Sequence, residues 1–149
     1  MTRPVSQVDL AEHGLDARLG DAGIPGDDSQ IVAAVPVNMM PPGKETGWMV
    51  PRELRGRWRL HLGDAKELLP ALLPTLGPLD IFTHDSLHSY DHMMFEFRTA
   101  WPHLRDGGVL CSDDIDANRS FVDFAAEVNC PGVIFNNRRA GAIRKPDRQ

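Results

Sequence analysis

Short apolar runs and helical stripes alternate along the chain. "IVAAVPV" (Ile31 to Val37) predicts a strand, with Pro36 marking an early end or an exposed edge. "MMPPGKETGWMVP" follows as loop, punctuated by Pro and Gly. "RWRLHL" alternates and predicts a second strand, ending at Gly63. In "DAKELLPALLPTL" an acidic N-cap precedes leucines at helical spacing, and Pro74 cuts the helix short. "LDIFTH" predicts a buried strand, and "SYDHMMFEFRTAWPHL" a helix with Tyr90, Met93, Met94, Phe97 and Trp101 as its apolar stripe. A Met and aromatic stripe at that spacing is core packing rather than a ligand box. "GGVLCS" predicts the next strand, its glycines marking the tight turn before it, and "ANRSFVDFAAEV" a further helix. "GVIFNN" and "GAIRK", joined by "RRA", predict a closing hairpin. No repeat or low-complexity tract interrupts this order.

Strands that alternate with helices predict an α/β fold with a parallel sheet covered on both faces. In such sheets ligands bind beyond the carboxyl ends of the strands. Three strand ends therefore carry the functional question: "LGDA", "THDSLHSY" and "CSDDID". Each holds an acid, namely Asp64, Asp85, and the pair Asp113 and Asp114. Carboxylates brought together repel unless a proton or a cation intervenes. Oxygen ligands of this kind suit a hard divalent ion, Mg2+ or Ca2+. Helix capping is the competing role, above all for Asp64 and Asp116.

His84, His88 and His92 lie in the same region. The four-residue spacing of His88 and His92 suggests zinc on first sight, but no Cys or further His stands nearby to complete a tetrahedron. His88, nearest the strand end, is the candidate general base. His84 is expected to be tucked under the loop, and His92 to be a surface or packing residue.

Composition narrows the class without naming it. The chain has 149 residues, 42% hydrophobic and 25% charged, which fits one globular domain, 1–149. A net charge of -5 argues against nucleic acid as the partner. Two cysteines, Cys111 and Cys130, make no disulfide framework and point to a reducing cytoplasm. "MTRPVSQVDLAEHGLDARLG" is too polar for a signal peptide, and no run approaches the length of a membrane span.

The stretch "LHLGDAKELLPALLPTLGPLDIFTHDSLHSYDHMMFEFRTAWPHLRDGGVLCSDDI" resembles the C-terminal half of class I S-adenosylmethionine-dependent methyltransferases. It is most similar to the small-molecule O-methyltransferase-like branch, which reads D-x-x-H-S/T-Y after the fourth strand and D-D after the fifth. The resemblance covers residues 31–145, and residues 1–30 match it poorly. It implies a Rossmann-like, doubly wound, mostly parallel sheet ordered 3-2-1-4-5-7-6, with a C-terminal antiparallel hairpin. It also implies that Gly63, Asp64 and Ala65 hold the adenine of S-adenosylmethionine. Asp85, Asp113 and Asp114 fall where metal-dependent members hold Mg2+, with Asp85 and His88 as the catalytic pair. The metal would grip a hydroxyl of a small-molecule acceptor, lower its pKa and aim it at the methyl group.

Two departures from the family pattern qualify that reading. The glycine-rich loop after the first strand is missing, because Gly14, Gly20, Gly23 and Gly26 do not have its spacing. Asn38 stands where an acid should bind both ribose hydroxyls, and an amide cannot accept two bonds as a carboxylate does. The first strand is thus either missing, which is the preferred reading, or degenerate and supplied by "VSQVDL" (Val5 to Leu10). A missing central strand would call for a partner, a homodimer or a rearranged edge. The alternative function is accordingly a methyltransferase-like module without catalysis, kept for interaction or dimerisation. A metal-dependent phosphate hydrolase is disfavoured by the absence of a phosphate-binding glycine loop.

Overall fold

The computed structural model describes residues 42–45 and 47–147. Among the described residues seven α-helices and β-strands follow one another: α1 (Ala65–Leu72), β1 (Leu79–His84), α2 (Tyr90–Ala100), β2 (Leu104–Ser112), α3 (Ser120–Glu127), β3 (Gly132–Phe135) and β4 (Ala140–Arg144). The strands form one sheet in the order β1-β2-β4-β3. β1 and β2 are parallel, while β4 runs antiparallel to both its neighbours, β2 and β3. This is the expected order over its last four positions, hairpin included. The predicted strand at Ile31 to Val37 lies outside the described residues.

Each element ends for a local reason. The Asp64 carboxylate accepts from the Lys66 N–H at 2.8 Å and starts α1. Pro74 opens a 3-10 turn, Leu73–Thr75, that replaces the next turn of α1. α2 gives way likewise to a 3-10 turn at Trp101–His103, which contains Pro102. Asn118 accepts from the Ser120 N–H at 2.8 Å and turns the chain into α3.

Phe82 and Leu79 bridge two clusters of the core. One gathers Met93, Met94 and Phe97 of α2, Phe121 and Phe124 of α3, Leu110 of β2 and Ile143 of β4. The other joins Ala65, Leu69 and Leu73 to Ala100. The predicted α2 stripe is therefore core at Met93, Met94 and Phe97. Tyr90 departs from it: it is exposed, and its hydroxyl donates to Asp123 at 3.3 Å.

Two strand expectations are corrected. "RWRLHL" makes no ladder among the described residues, although Trp58 has an extended backbone. Alternation creates a half-buried ribbon, but a strand also needs a neighbour for its N–H and C=O groups. The second correction concerns Gly107 and Gly108, which lie within β2 rather than in a turn before it. The register jumps from Leu79↔Leu104 to Ile81↔Val109, so β2 bulges there. Gly107 takes the positive φ of 74° that the bulge requires.

Candidate active site

Parallel strands that end together deliver their following loops to one edge of the sheet. The Asp113 N–H donates to the His84 carbonyl at 3.0 Å, extending the pairing past His84 and Ser112. The loops that follow are themselves tied, because the Asn118 side-chain amide donates to the His88 carbonyl at 3.1 Å. Asp85 and His88 thus come from one loop, Asp113 and Asp114 from the other.

His88 stands between two acids. Its Nε2 is 3.8 Å from Asp85 Oδ1, and its Nδ1 is 3.8 Å from Asp114 Oδ2. Both distances are too long for direct hydrogen bonds, so neither nitrogen is committed to a carboxylate. Nε2 is buried without a partner. The Asp85 carboxyl is held above the usual carboxylate range, chiefly by burial and then by the Asp113 carboxylate. His88 and His84 pull it back, and Asp114 pushes it further up. Crowded acids behave in this way. Asp114 has a left-handed backbone, φ 44°, and its Oδ1 accepts from Arg139 Nη2 of the β3–β4 turn.

Beneath this cluster lies a buried polar group that sequence reasoning missed. Glu96 is 4% exposed and its carboxylate meets three partners. His84 Nδ1 lies 2.6 Å from Oε2, Ser86 Oγ donates to Oε1 at 2.8 Å, and His92 Nε2 lies 2.9 Å from Oε1. Burial alone would raise its pKa, but the hydrogen bond and charge of His84, then Ser86 and His92, hold it below the ordinary value. His84 is fully buried, as expected, and its ring packs edge-on against His88 at 5.3 Å between centroids. His92 is corrected from a surface or packing role to a buried partner of Glu96. The signal was present in the sequence as a charge inside "MMFEF", one turn after His92.

Gly63 precedes α1, Asp64 caps it and Ala65 is its first residue. One Asp64 oxygen is spent on the helix cap, so the capping role is real and leaves Oδ2 for any ligand. Asn38 lies outside the described residues. As a cation site, the donor set fits in its chemistry only: three carboxylates, one of them raised chiefly by burial and then by Asp113. Its present arrangement is open, because no group of three or more His, Cys, Asp or Glu among the described residues stands close enough to hold an ion. Arg139 meanwhile occupies Asp114.

A family model described as a methyltransferase domain matches residues 7–115. This chain belongs to that methyltransferase family. The fold agrees with the assignment. The MycE methyltransferase of the mycinamycin biosynthetic pathway, in complex with Mg and SAH, superposes with a TM-score of 0.51 at 19% identity. That superposition covers 61% of this chain and 32% of the MycE chain. The apo TDP-rhamnose 3'-O-methyltransferase of calicheamicin biosynthesis gives 0.49 at 18% identity, covering 59% of this chain and 41% of its own. At such identities the likeness to MycE establishes the fold, and this methyltransferase-domain chain spans only part of the length of these enzymes. No curated protein matches it in sequence.

Proposed function

We propose that this chain carries out S-adenosylmethionine-dependent methyl transfer to an oxygen of a small hydroxylated molecule, assisted by Mg2+. The observation that carries the reading is His88 held 3.8 Å from both Asp85 and Asp114 at adjoining strand ends of a methyltransferase-family sheet. The cofactor supplies an electrophilic methyl group on sulfonium sulfur. In an in-line displacement the acceptor oxygen forms the new C–O bond as the C–S bond breaks. The acceptor proton passes to an uncommitted nitrogen of His88, flanked by carboxylates that stabilise the imidazolium. Asp85, Asp113 and Asp114 would hold Mg2+, whose charge lowers the pKa of the acceptor hydroxyl. That MycE was solved with Mg and SAH is in keeping with both ligands. Gly63, Asp64 and Ala65, with Asn38, would hold the cofactor; Ala65 is buried while Asp64 keeps one free oxygen. Two cysteines, too few for a disulfide framework, are in keeping with a cytoplasmic protein.

Titration calorimetry with S-adenosylmethionine, then methyl transfer to a panel of hydroxylated acceptors with Mg2+ or with chelator, tests this. Absence of any heat at high protein concentration counts decisively against it. One observation favours the second reading, an interaction or dimerisation module. β3 is exposed along its whole length, with Val133, Ile134 and Phe135 at 66%, 48% and 49%. A stable dimer with no affinity for the cofactor would establish that reading instead.

A further inference from the structure

His88 is the base in the reaction proposed above, yet no hydrogen bond to either ring nitrogen fixes its direction. Nδ1 and Nε2 each lie 3.8 Å from a carboxylate oxygen, and Nε2 is buried without a partner. A histidine base is ordinarily aimed by a hydrogen bond at the nitrogen that does not react. In this loop the task passes to ring packing and to the backbone. The ring rests edge-on against His84, which Glu96 holds at Nδ1 at 2.6 Å. The backbone is held at the His88 carbonyl, by the Asn118 side-chain amide at 3.1 Å.

Asn118 uses every polar position of that amide. Its Oδ1 accepts from the Ser120 N–H at 2.8 Å, and this decides which way round the amide lies, because a backbone N–H only donates. Nδ2 is thereby turned toward the other loop. One of its hydrogens serves the His88 carbonyl and the other Met93 Sδ, at 3.3 Å. Ser120 Oγ donates to the same sulfur at 3.2 Å, and Met93 is fully buried. The amide therefore ties the loop of His88 both to the start of α3 and to the core. An aspartate in its place would accept only, and a serine is one atom too short to serve both loops.

We propose that Asn118 is the positioning residue of His88, an inference that rests on the methyl-transfer reading: its donor sets where the imidazole stands, and it acts on the rate through His88 rather than on the stability of α3. Proton transfer needs the imidazole nitrogen within hydrogen-bond reach of the acceptor hydroxyl while that oxygen is in line with the methyl group. A loop released from Asn118 loses that alignment and keeps its fold.

Asn118→Asp and Asn118→Ser in the full chain test this. Both keep an oxygen for the Ser120 N–H, and neither carries a donor that reaches the His88 carbonyl. One is charged and the other neutral, so agreement between them excludes added charge as the cause. With S-adenosylmethionine and the acceptor that wild type turns over, kcat should fall roughly ten- to a hundredfold in both, the upper figure being that of a misplacement near 1 Å. KM for S-adenosylmethionine and Tm should stay close to wild type. On top of His88→Gln, Asn118→Ser should cost nothing more, because the two act as one unit. Wild-type kcat in both variants, or a full further loss in the His88→Gln background, overturns the proposal. Loss of folding in both variants makes Asn118 structural and overturns it too. Nuclear magnetic resonance of the labelled chain reads the tie without turnover: the His88 carbonyl carbon and ring protons should shift in both variants while the Ser120 amide stays in place. If wild type transfers no methyl group, the methyl-transfer reading falls and these signals decide alone. Shifted His88 signals then uphold the tie, and unchanged ones overturn it.

Discussion

At the scale of single residues, the two buried or crowded carboxylates pull stability in opposite directions. Glu96 is held below its ordinary pKa, so its contribution is fully present above the unfolded value of 4.5 and is lost as pH falls through the folded one. Glu96→Ala strands the buried His84 and His92 nitrogens, and about 3 kcal/mol of stability at pH 7 should go with it. Urea unfolding at pH 7 and pH 3 checks this: the variant should lose far more at pH 7, and an equal loss at both would show that the carboxylate charge is idle. Asp85 is the reverse case. Its raised pKa stabilises the fold only while protonated, fully below 3.8, and that advantage disappears as pH rises through the folded value. Asp85→Asn should therefore raise stability at pH 7, by about 1 kcal/mol, while abolishing methyl transfer. Thermal melts beside activity assays read both; a variant that is less stable than wild type contradicts the crowding. The position of Asp85 and His88 in the loop after a strand was legible in the sequence because polar residues cluster where an apolar run stops. Glu96 was not, because helical periodicity treats one charge among apolar positions as ordinary.

At the scale of elements, the β3–β4 hairpin depends on missing side chains. A Cβ at Gly141 would stand 2.5 Å from Phe121 Cζ, and one at Gly132 would stand 2.9 Å from Phe121 Cε1. Phe121 is 1% exposed and sits in the core with Phe124 and Ile143, so its ring cannot swing away. Gly141→Ala should cost about 2 kcal/mol by overpacking, and Gly132→Ala less. Denaturant unfolding of the two variants gives the order, and a neutral Gly141→Ala would mean that the ring yields. Glycines also explain where element reading succeeded and failed. "LDIFTH" matches β1 residue for residue, but the expectation that it is buried is corrected: only His84 is buried, and Asp80 and Thr83 are exposed. "GGVLCS" was cut short because Gly107 and Gly108 look like a turn, whereas Lys145 pairs with both: its carbonyl accepts from the Gly107 N–H at 3.1 Å, and its N–H donates to the Gly108 carbonyl at 2.8 Å. That contact comes from 37 residues away, beyond the reach of local pattern. "RWRLHL" makes no ladder among the described residues for a related reason, since period-two alternation does not itself supply a pairing partner.

At the scale of the whole molecule, the enzyme and module readings differ in what stabilises the fold. Ile81, Val109 and Cys111 alternate with the core-facing Phe82 and Leu110 and are only partly buried, and β3 is open along its length. A fold with such surfaces gains from whatever binds the native state alone. If S-adenosylmethionine is that ligand, a concentration of 100 times its Kd adds about 2.7 kcal/mol. For a domain of this size the gain corresponds to a rise in Tm of roughly 8 °C. If a second copy is that ligand, Tm rises instead with protein concentration, and the cofactor leaves it unchanged. Differential scanning calorimetry across both concentrations separates them, because each reading moves Tm along its own axis. The methyltransferase family assignment and the paired strand ends favour the first axis. A cofactor-independent Tm that climbs with protein concentration would transfer the function to the β3 edge.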